Sequence, residues 1–467
     1  MGGVTQLSDR ARSRITAISV SSGMLMEFID STALGNALPS MGRYFRLPPA
    51  ELNLALSAYV LALALFIPAS GWLGDRFGAR RVYLIAIGIF AFGSILCAAS
   101  HSVTFLVGGR VVQGLGGSMM TPVARTIIVS STPRSELVEA MSWFTTPATL
   151  GPLLGPPLAG FILIWADWRW IFLINLPVAL IGAVLVRRFA PEAKGMQKRP
   201  FDWLGFVLGG TAITMFVITS ELPGDGAPLS HILLAGGVAV ALLAIYLWQA
   251  AHTPHPVLNL RLFTQGTFRA SIVVGTIMRL GLGSGPLLLP LLLQLGLGWS
   301  PVKAGFVIIA QVAGVIVAKL TSARLVTRVG YAKVLMVGAI GNCVMSIAPA
   351  FFRPETSLWI IVGSLAITGW VRSTFFTSNT SVAFAELRHD EVSQAATLSS
   401  VLQQLGMVLG ISVGAWLLHG DFGHALGQAP ALSHYGFPFL IIGVAMTAGL
   451  LFLGPEPRGE KKLIEEG

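Results

Sequence analysis

The stretch MLMEFIDSTALGNALP, Met24 to Pro39, places two acids, Glu27 and Asp30, inside an apolar run that begins near Ile15. The run is long enough to span a bilayer at about 20 residues per crossing. A charged side chain at the centre of such a helix costs roughly 2.5–3.5 kcal/mol on insertion-based scales, so it is placed where it faces a bundle interior or a watery cavity. The i, i+3 spacing puts both carboxyls on one helical face. Two readings are open: a proton or cation site at mid-depth, or a helix end whose acids reach the headgroups. The acids lie 9 and 12 residues from Pro39, which favours mid-depth.

Working outward, the chain has 467 residues, of which 54% are hydrophobic and only 11% charged, with a mean hydropathy of +0.74. Soluble proteins carry about 25% charged residues. The apolar runs are long and show no ten-residue alternation, so the expected class is an all-α membrane protein rather than a barrel. Fourteen apolar segments are expected, near 15–38, 52–74, 82–100, 103–125, 138–164, 169–187, 203–220, 230–250, 268–297, 302–322, 332–352, 357–383, 394–418 and 435–454. No cleavable signal is evident ahead of the first. Cys97 and Cys343 both lie in apolar runs and read as packed thiols, not as a disulfide framework or metal site.

The net charge of +10 sits mainly in alternate loops and does not call for nucleic acid. Arg10, Arg12 and Arg14 precede span 1; Arg76, Arg80 and Arg81 follow span 2; Arg187, Arg188, Lys194, Lys198 and Arg199 follow span 6. The opposite loops hold only Arg43, Arg46, Arg169, Lys303 and Arg353. The bias predicts both termini in the cytoplasm, in keeping with an even number of spans.

Residues 188–202 form a basic linker with two prolines, and 251–266 form a second connector. The expected division is an N-terminal six-helix bundle over 1–190, a cytoplasmic linker with two extra transmembrane helices over 191–256, and a C-terminal six-helix bundle over 257–467. An internal repeat supports two halves. GDRFGARRV, Gly74 to Val82, aligns with VTRVGYAKV, Val326 to Val334, at an offset of 252, so that Arg76 matches Arg328 and Gly78 matches Gly330.

At these residues the sequence resembles the major facilitator superfamily and, within it, the 14-span drug/proton antiporters of the EmrB/QacA type. Four motifs carry the likeness in order: DSTALGNALP (Asp30–Pro39), GWLGDRFGARRVY (Gly71–Tyr83), RVVQGLGG (Arg110–Gly117) and GPLLGPPLAG (Gly151–Gly160). The chain departs from the family pattern at Gly35, where members usually carry Asn. Asn36 follows one step later, which turns the amide about 100° around the helix. Glu27 lies outside the family motif, and Thr327 replaces the acid in the second copy of the loop.

The resemblance implies a role for each motif. Gly71 and Gly78 permit a tight cytoplasmic turn, and Asp75, Arg76, Arg80 and Arg81 can bridge to other helix ends as a latch on the outward-facing state. Plain positive-inside anchoring would not require Asp75. Arg110 is implied to face the central cavity, coupled to protonation of Asp30. Gly151 and Gly155 form a small-residue face, while Pro152 and Pro156 remove backbone donors and kink the helix, which is implied to shape the seam between the halves in favour of export.

Nothing points to an enzyme. There is no Walker loop, no HExxH and no metal-spaced Cys/His set, and GLGSG, Gly281–Gly285, lies within an apolar span. No cofactor or metal is expected; the proton is the coupling ion. Asp30 is the leading proton carrier, Glu27 the second, and Arg110 the coupling partner. The C-terminal spans hold no acid near mid-depth but do hold Arg279 and Arg372, with Gln311 and Asn379 as candidate hydrogen-bond partners. The two arginines are expected to meet an anionic or zwitterionic substrate with Gln311 and Asn379 as hydrogen-bond partners, to pair across the cavity with Glu27 or Asp30, or to make buried structural contacts. Lys319 reads as a snorkelling side chain.

The expected function is proton-driven export of small amphipathic compounds across a bacterial inner membrane. The expected partners are the substrate and the lipid bilayer, with the chain working as a monomer; a periplasmic adaptor is compatible with this reading and is not required by it. One rival is a dedicated exporter or importer of a single anionic or zwitterionic metabolite. The other is a non-transporting membrane sensor, which the intact latch and antiporter motifs oppose.

Overall fold

A computed structural model of the chain describes residues 9–132, 137–192, 200–222, 227–254, 256–384, 387, 391–419 and 430–453. There is no β-strand among them. Within these residues fourteen long helices follow one another: α1 Asp9–Phe45, α2 Asn53–Phe77, α3 Ala79–Ala98, α4 Val103–Ser131, α5 Leu137–Trp165, α6 Trp170–Phe189, α7 Trp203–Glu221, α8 Leu229–His252, α9 Gly266–Leu291, α10 Pro301–Val329, α11 Tyr331–Ile347, α12 Leu358–Phe384, α13 Val392–His419 and α14 Pro430–Met446. Eleven of these runs are long and apolar enough to cross a membrane. The helices α1 and α4, 37 and 29 residues long, carry the ionisable groups described below. Chain reversal at each junction puts the loops α1/α2, α3/α4 and α5/α6 at one end, here termed distal. The opposite, proximal end is the one from which α1 starts.

The first six and last six helices pack in the same pattern. In the first set α1 packs on α5, α2 and α3 on α4, and α3 on α6; in the second α9 packs on α13, α10 and α11 on α12, and α11 on α14. Between the sets α5 lies on α10, α2 on α13, and α1 on α9. Fifth helix therefore meets second helix in both directions, and first meets first, as a two-fold relation between halves demands.

The repeat seen in the sequence has a backbone counterpart. Gly78 joins α2 to α3 at φ 90°, and Gly330 joins α10 to α11 at φ 89°. Side chains with a Cβ rarely adopt that conformation, so each turn needs its glycine. In both, the amide of the glycine closes the preceding helix onto the carbonyl four residues back, Gly74 or Val326.

Between the sets, α7 and α8 pack mainly on each other, and α7 also touches α2 and α13. Leu229, Leu233, Leu234, Val240 and Trp248 of α8 are all exposed. An apolar helix this open is suited to lipid, where its backbone is satisfied internally. Asp202 secures the pair at one end: it caps α7 by accepting from the Gly205 amide at 2.8 Å, and it accepts Gln249 Nε2 of α8 at 2.9 Å. Trp72 of α2 stacks on Phe201 and Trp203 at the same place. Much of the basic linker, 193–199, lies outside the described residues.

Candidate functional site: a buried charge cluster and a distal seam

Asp30 is completely buried, somewhat past the middle of α1. Arg110 of α4 is equally buried and forms an ion pair with Asp30 Oδ2. Oδ1 accepts from Gln113 Nε2 at 2.8 Å and from Asn175 Nδ2 of α6 at 3.0 Å. Arg110 directs its other donors to the Ala55 carbonyl of α2, at 3.0 Å from Nε, and to Gln113 Oε1 at 2.7 Å. Its guanidinium lies 4.2 Å over the Tyr59 ring. Ser94 of α3 accepts from both Gln113 and Asn175, at 2.9 and 3.3 Å. Five helices thus converge on one carboxylate.

Small residues let them converge. A Cβ on Gly93 of α3 would sit 2.5 Å from the Gln113 amide, and one on Gly116 of α4 would sit 2.5 Å from the Phe90 amide. The α3 and α4 backbones are therefore in direct contact beside the cluster. All Asp30 partners are donors, so the pocket fits an acceptor-only carboxylate. Desolvating this pair is costly, and removing one member leaves a buried charge uncompensated, typically at 3–5 kcal/mol.

The resemblance implied that Arg110 faces the central cavity; the structure corrects this. Arg110 is enclosed within the N-terminal half, because the tight α2–α3–α4 packing closes around it. Glu27, one turn toward the proximal end, behaves differently from Asp30 despite the shared helical face. It is only half-buried and accepts one hydrogen bond, from Thr121 Oγ1 at 3.3 Å. Gln113 and Asn175 were not anticipated. Gln113 sits at i+3 from Arg110 inside the RVVQGLGG motif and was within reach of a periodicity argument. Asn175 carries no such signal.

In the loop motif, Arg80 donates to the Arg187 carbonyl at the end of α6, so it does bridge to another helix end. Arg76 stacks against Trp72 at 5.4 Å, Gly71 is exposed, and Arg81 is exposed. The side chain of Asp75 lies outside the described ones, as does that of Pro152.

In the antiporter motif, Gly151 and Gly155 pack against Phe28 and Thr32 of α1, within the N-terminal half. They bring α5 onto α1 rather than onto the opposite half. The seam itself is made one step further on. The Pro156 carbonyl accepts Asn36 Nδ2 of α1 at 2.9 Å, and a Cβ on Gly305 of α10 would lie 2.5 Å from that same carbonyl. Asn36 also reaches the Pro301 carbonyl of α10 at 3.5 Å, and its own Oδ1 and carbonyl accept Gln294 Nε2, from the π-helical turn that ends α9, at 3.3 and 3.2 Å. Gly35 lies directly against the Pro286 carbonyl of α9, where any Cβ would collide. These contacts join the halves near the distal end.

The four C-terminal residues fall into two pairs. Arg279 and Asn379 sit together around Gly275: Arg279 donates to the Gly275 carbonyl at 2.8 Å and lies 4.3 Å over the Phe376 ring, and Asn379 donates to the Ser271 carbonyl at 3.0 Å. Arg372 and Gln311 instead line a separate cavity between α9, α10, α11, α12 and α14. Arg372 has two long hydrogen bonds, to Asn342 Oδ1 and the Gly281 carbonyl, both at 3.4 Å. Neither arginine pairs with Glu27 or Asp30; Asp30 is taken by Arg110, inside the other half.

The family model of the Major Facilitator Superfamily matches residues 20–288 and 272–467. A protein of Serratia proteamaculans (strain 568) bearing the provisional name multidrug resistance protein MdtD is 36% identical over 436 residues, 92% of this chain and 90% of that protein. One of the same name from Enterobacter sp. (strain 638) is 36% identical over 453 residues, 96% and 94% of the two chains. Among solved structures, a D-xylose-proton symporter superposes with a TM-score of 0.69 at 16% identity, covering 96% of this chain and 98% of its own. An auto-inhibited peptide transporter of the POT family does so with 0.69 at 14%, covering 94% and 96%. Those two likenesses concern the fold. Taken with the repeated packing and the four motifs, the matches show that this chain is a membrane transporter, not an enzyme, and that it belongs to the Major Facilitator Superfamily.

Proposed function

We propose that this chain exports small amphipathic compounds across a bacterial inner membrane in exchange for protons, as a multidrug efflux carrier with both termini in the cytoplasm. The observation that carries the reading is the buried Asp30–Arg110 pair with half-buried Glu27 one turn away. A proton placed on Asp30 removes its charge and leaves Arg110 buried without a counterion, which is costly. The cluster must then loosen, and because it ties α1, α2, α3, α4 and α6 together, loosening it moves helices. Glu27, the more exposed of the two acids, is the group a proton reaches first, and Asp30 is the group whose protonation shifts the conformational balance. The proton gradient supplies the work, and no nucleotide site is needed.

On this reading the distal end is periplasmic, and the seam at Asn36, Pro156 and Gln294 is the closed outer side of a cytoplasm-facing state. The loop motif is the latch that engages when the carrier turns outward, and Arg80 already anchors it to α6 in the present state. The relatives' names support a multidrug substrate range. Arg279 and Arg372, which have no carboxylate partner among the described residues, favour as a second reading a carrier for one anionic or zwitterionic metabolite.

The test is transport in proteoliposomes with an imposed pH gradient, scanned over cationic, zwitterionic and anionic compounds. Gradient-driven uptake of several unrelated compounds supports the first reading, and uptake of a single anionic or zwitterionic one supports the second. Movement that ignores the gradient refutes proton coupling.

A further inference from the structure

The cavity beside Arg372 is richer in donors than its neighbours can use. Its volume is about 20 Å³, and its wall includes Ser284, Gln311, Ser346, Thr368 and Arg372. A cavity of this size admits a body of one or two heavy atoms. Ser346 is 5% exposed, lines the cavity, and its hydroxyl has no hydrogen-bond partner. It lies against Gly281, where a Cβ would come 2.8 Å from Ser346 Oγ, and the Gly281 carbonyl is the one that Arg372 touches at 3.4 Å. Asn342 is 1% exposed; its Oδ1 faces Arg372 Nε, and its Nδ2 has no partner.

The inventory is one-sided. Arg372 has five N–H donors, of which two make long contacts. The Asn342 amide and the Ser346 hydroxyl add further donors with nothing to donate to. Arg372 forms no ion pair with a carboxylate among the described residues. A water molecule could accept from these groups but would leave the guanidinium charge uncompensated inside a membrane-spanning bundle, where a lone cation is costly. A compact anion meets both needs.

We propose that the C-terminal half binds a compact monovalent anion, held by Arg372 with Ser346 as a hydrogen-bond donor. The cavity admits a halide, or the oxygen end of a carboxylate; it is too small for a phosphate or sulfate with its four oxygens. The proposal is independent of proton exchange, since it concerns a charge in the half that lacks the Asp30 cluster. The same chemistry has two sources, a free halide ion and the carboxylate of a transported compound.

The test uses the purified full-length chain in sodium gluconate buffer at constant ionic strength, titrated in separate arms with chloride, bromide, nitrate and acetate while Tm is followed. A saturable rise in Tm with chloride and bromide, and none with nitrate, is expected. Ser346→Ala should weaken the apparent affinity about tenfold, the loss of one hydrogen bond to a charged group, and Arg372→Gln should abolish the rise. Ser346→Ala keeps the test decisive should Arg372→Gln fail to fold. A response to acetate alone, lost in the same variants, supports the anion site and assigns it to the substrate carboxylate. No response beyond that to gluconate in any arm, or full response in Ser346→Ala, overturns the proposal.

Discussion

Asn36 of α1 donates to the Pro156 carbonyl of α5 at 2.9 Å while receiving Gln294 of α9 at 3.3 Å. One buried amide therefore ties the first and fifth helices of the N-terminal half to the C-terminal half. Its neighbour Gly35 makes this possible, because the bare α-carbon lets α1 and α9 approach backbone to backbone. The departure from the family pattern at positions 35 and 36 is thus a compact seam: glycine where the backbones touch, amide one step around the helix where the acceptors are.

Asn36→Leu should open that seam. The change keeps the branched outline, removes the donor to the Pro156 carbonyl and leaves Gln294 only the main-chain carbonyl at position 36, a penalty of about 1–3 kcal/mol, or roughly five- to a hundredfold in a two-state balance. It acts on the closed-distal state alone. A cysteine introduced near the distal ends, in a background with Cys97 and Cys343 replaced by serine, should react with a membrane-impermeant maleimide faster in the Asn36→Leu variant. An unchanged rate would show that the seam is held by the backbone contacts alone.

Gly155→Val tests the packing of the antiporter motif against α1. The added Cβ falls on Thr32 Oγ1 and within 3.2 Å of the Ile29 carbonyl, so α5 must move away from α1. Overpacking of this kind costs typically 1–3 kcal/mol. The variant should show a lower Tm and weaker transport together. A normal Tm with normal transport would mean the α1–α5 contact has slack that the geometry does not show.

Much of this fold was legible before any coordinates. Runs such as Ala79–Ala98 and Leu229–His252 are strongly apolar, with mean hydropathies of 2.0 and 2.1, and a membrane span is set by hydropathy and length more than by partners. Gly78 and Gly330 stood out because a left-handed turn needs glycine. The coupling of Asp30 with Arg110 was implied by the family resemblance of their motifs, and the structure joins the two as an ion pair. What the sequence did not reveal was enclosure. Arg110 reads as a cavity residue until Gly93 and Gly116 are seen to draw α3 and α4 into contact beside it. Asn175 was invisible because a single amide has no period. The split of Arg279 from Arg372 was equally hidden, since each is a lone cation in an apolar span and only the packing of α9 against α12 decides which cavity each lines.

Asp30→Asn should abolish gradient-driven export and also destabilise the protein. The amide cannot carry the proton, and Arg110 is left as a buried cation without a counterion, at typically 3–5 kcal/mol. The double variant Asp30→Asn with Arg110→Gln removes both charges and should recover most of the lost Tm while remaining inactive. Thermal unfolding and transport measured on the same preparations separate the two effects. If the double variant is no more stable than Asp30→Asn, the pair is not the source of the destabilisation.

Glu27→Gln is the complementary case, and the contrast with Asp30 decides which acid meets the incoming proton. Glu27 is half-buried and accepts only the Thr121 hydroxyl, at 3.3 Å. A glutamine keeps that acceptor and breaks no ion pair among the described residues, so folding should be nearly unaffected, within about 0.5 kcal/mol. The Asp30–Arg110 pair stays intact, so the conformational balance at rest should also be unchanged. Proton traffic should not. Substrate added to weakly buffered wild-type protein should release protons, and Glu27→Gln should release fewer, with substrate affinity held within a few-fold. Loss of proton release at wild-type Tm assigns Glu27 to the exchange path. Wild-type proton release in Glu27→Gln, together with its loss in Asp30→Asn, would mean that protons reach Asp30 without Glu27, through an opening of the five-helix cluster itself.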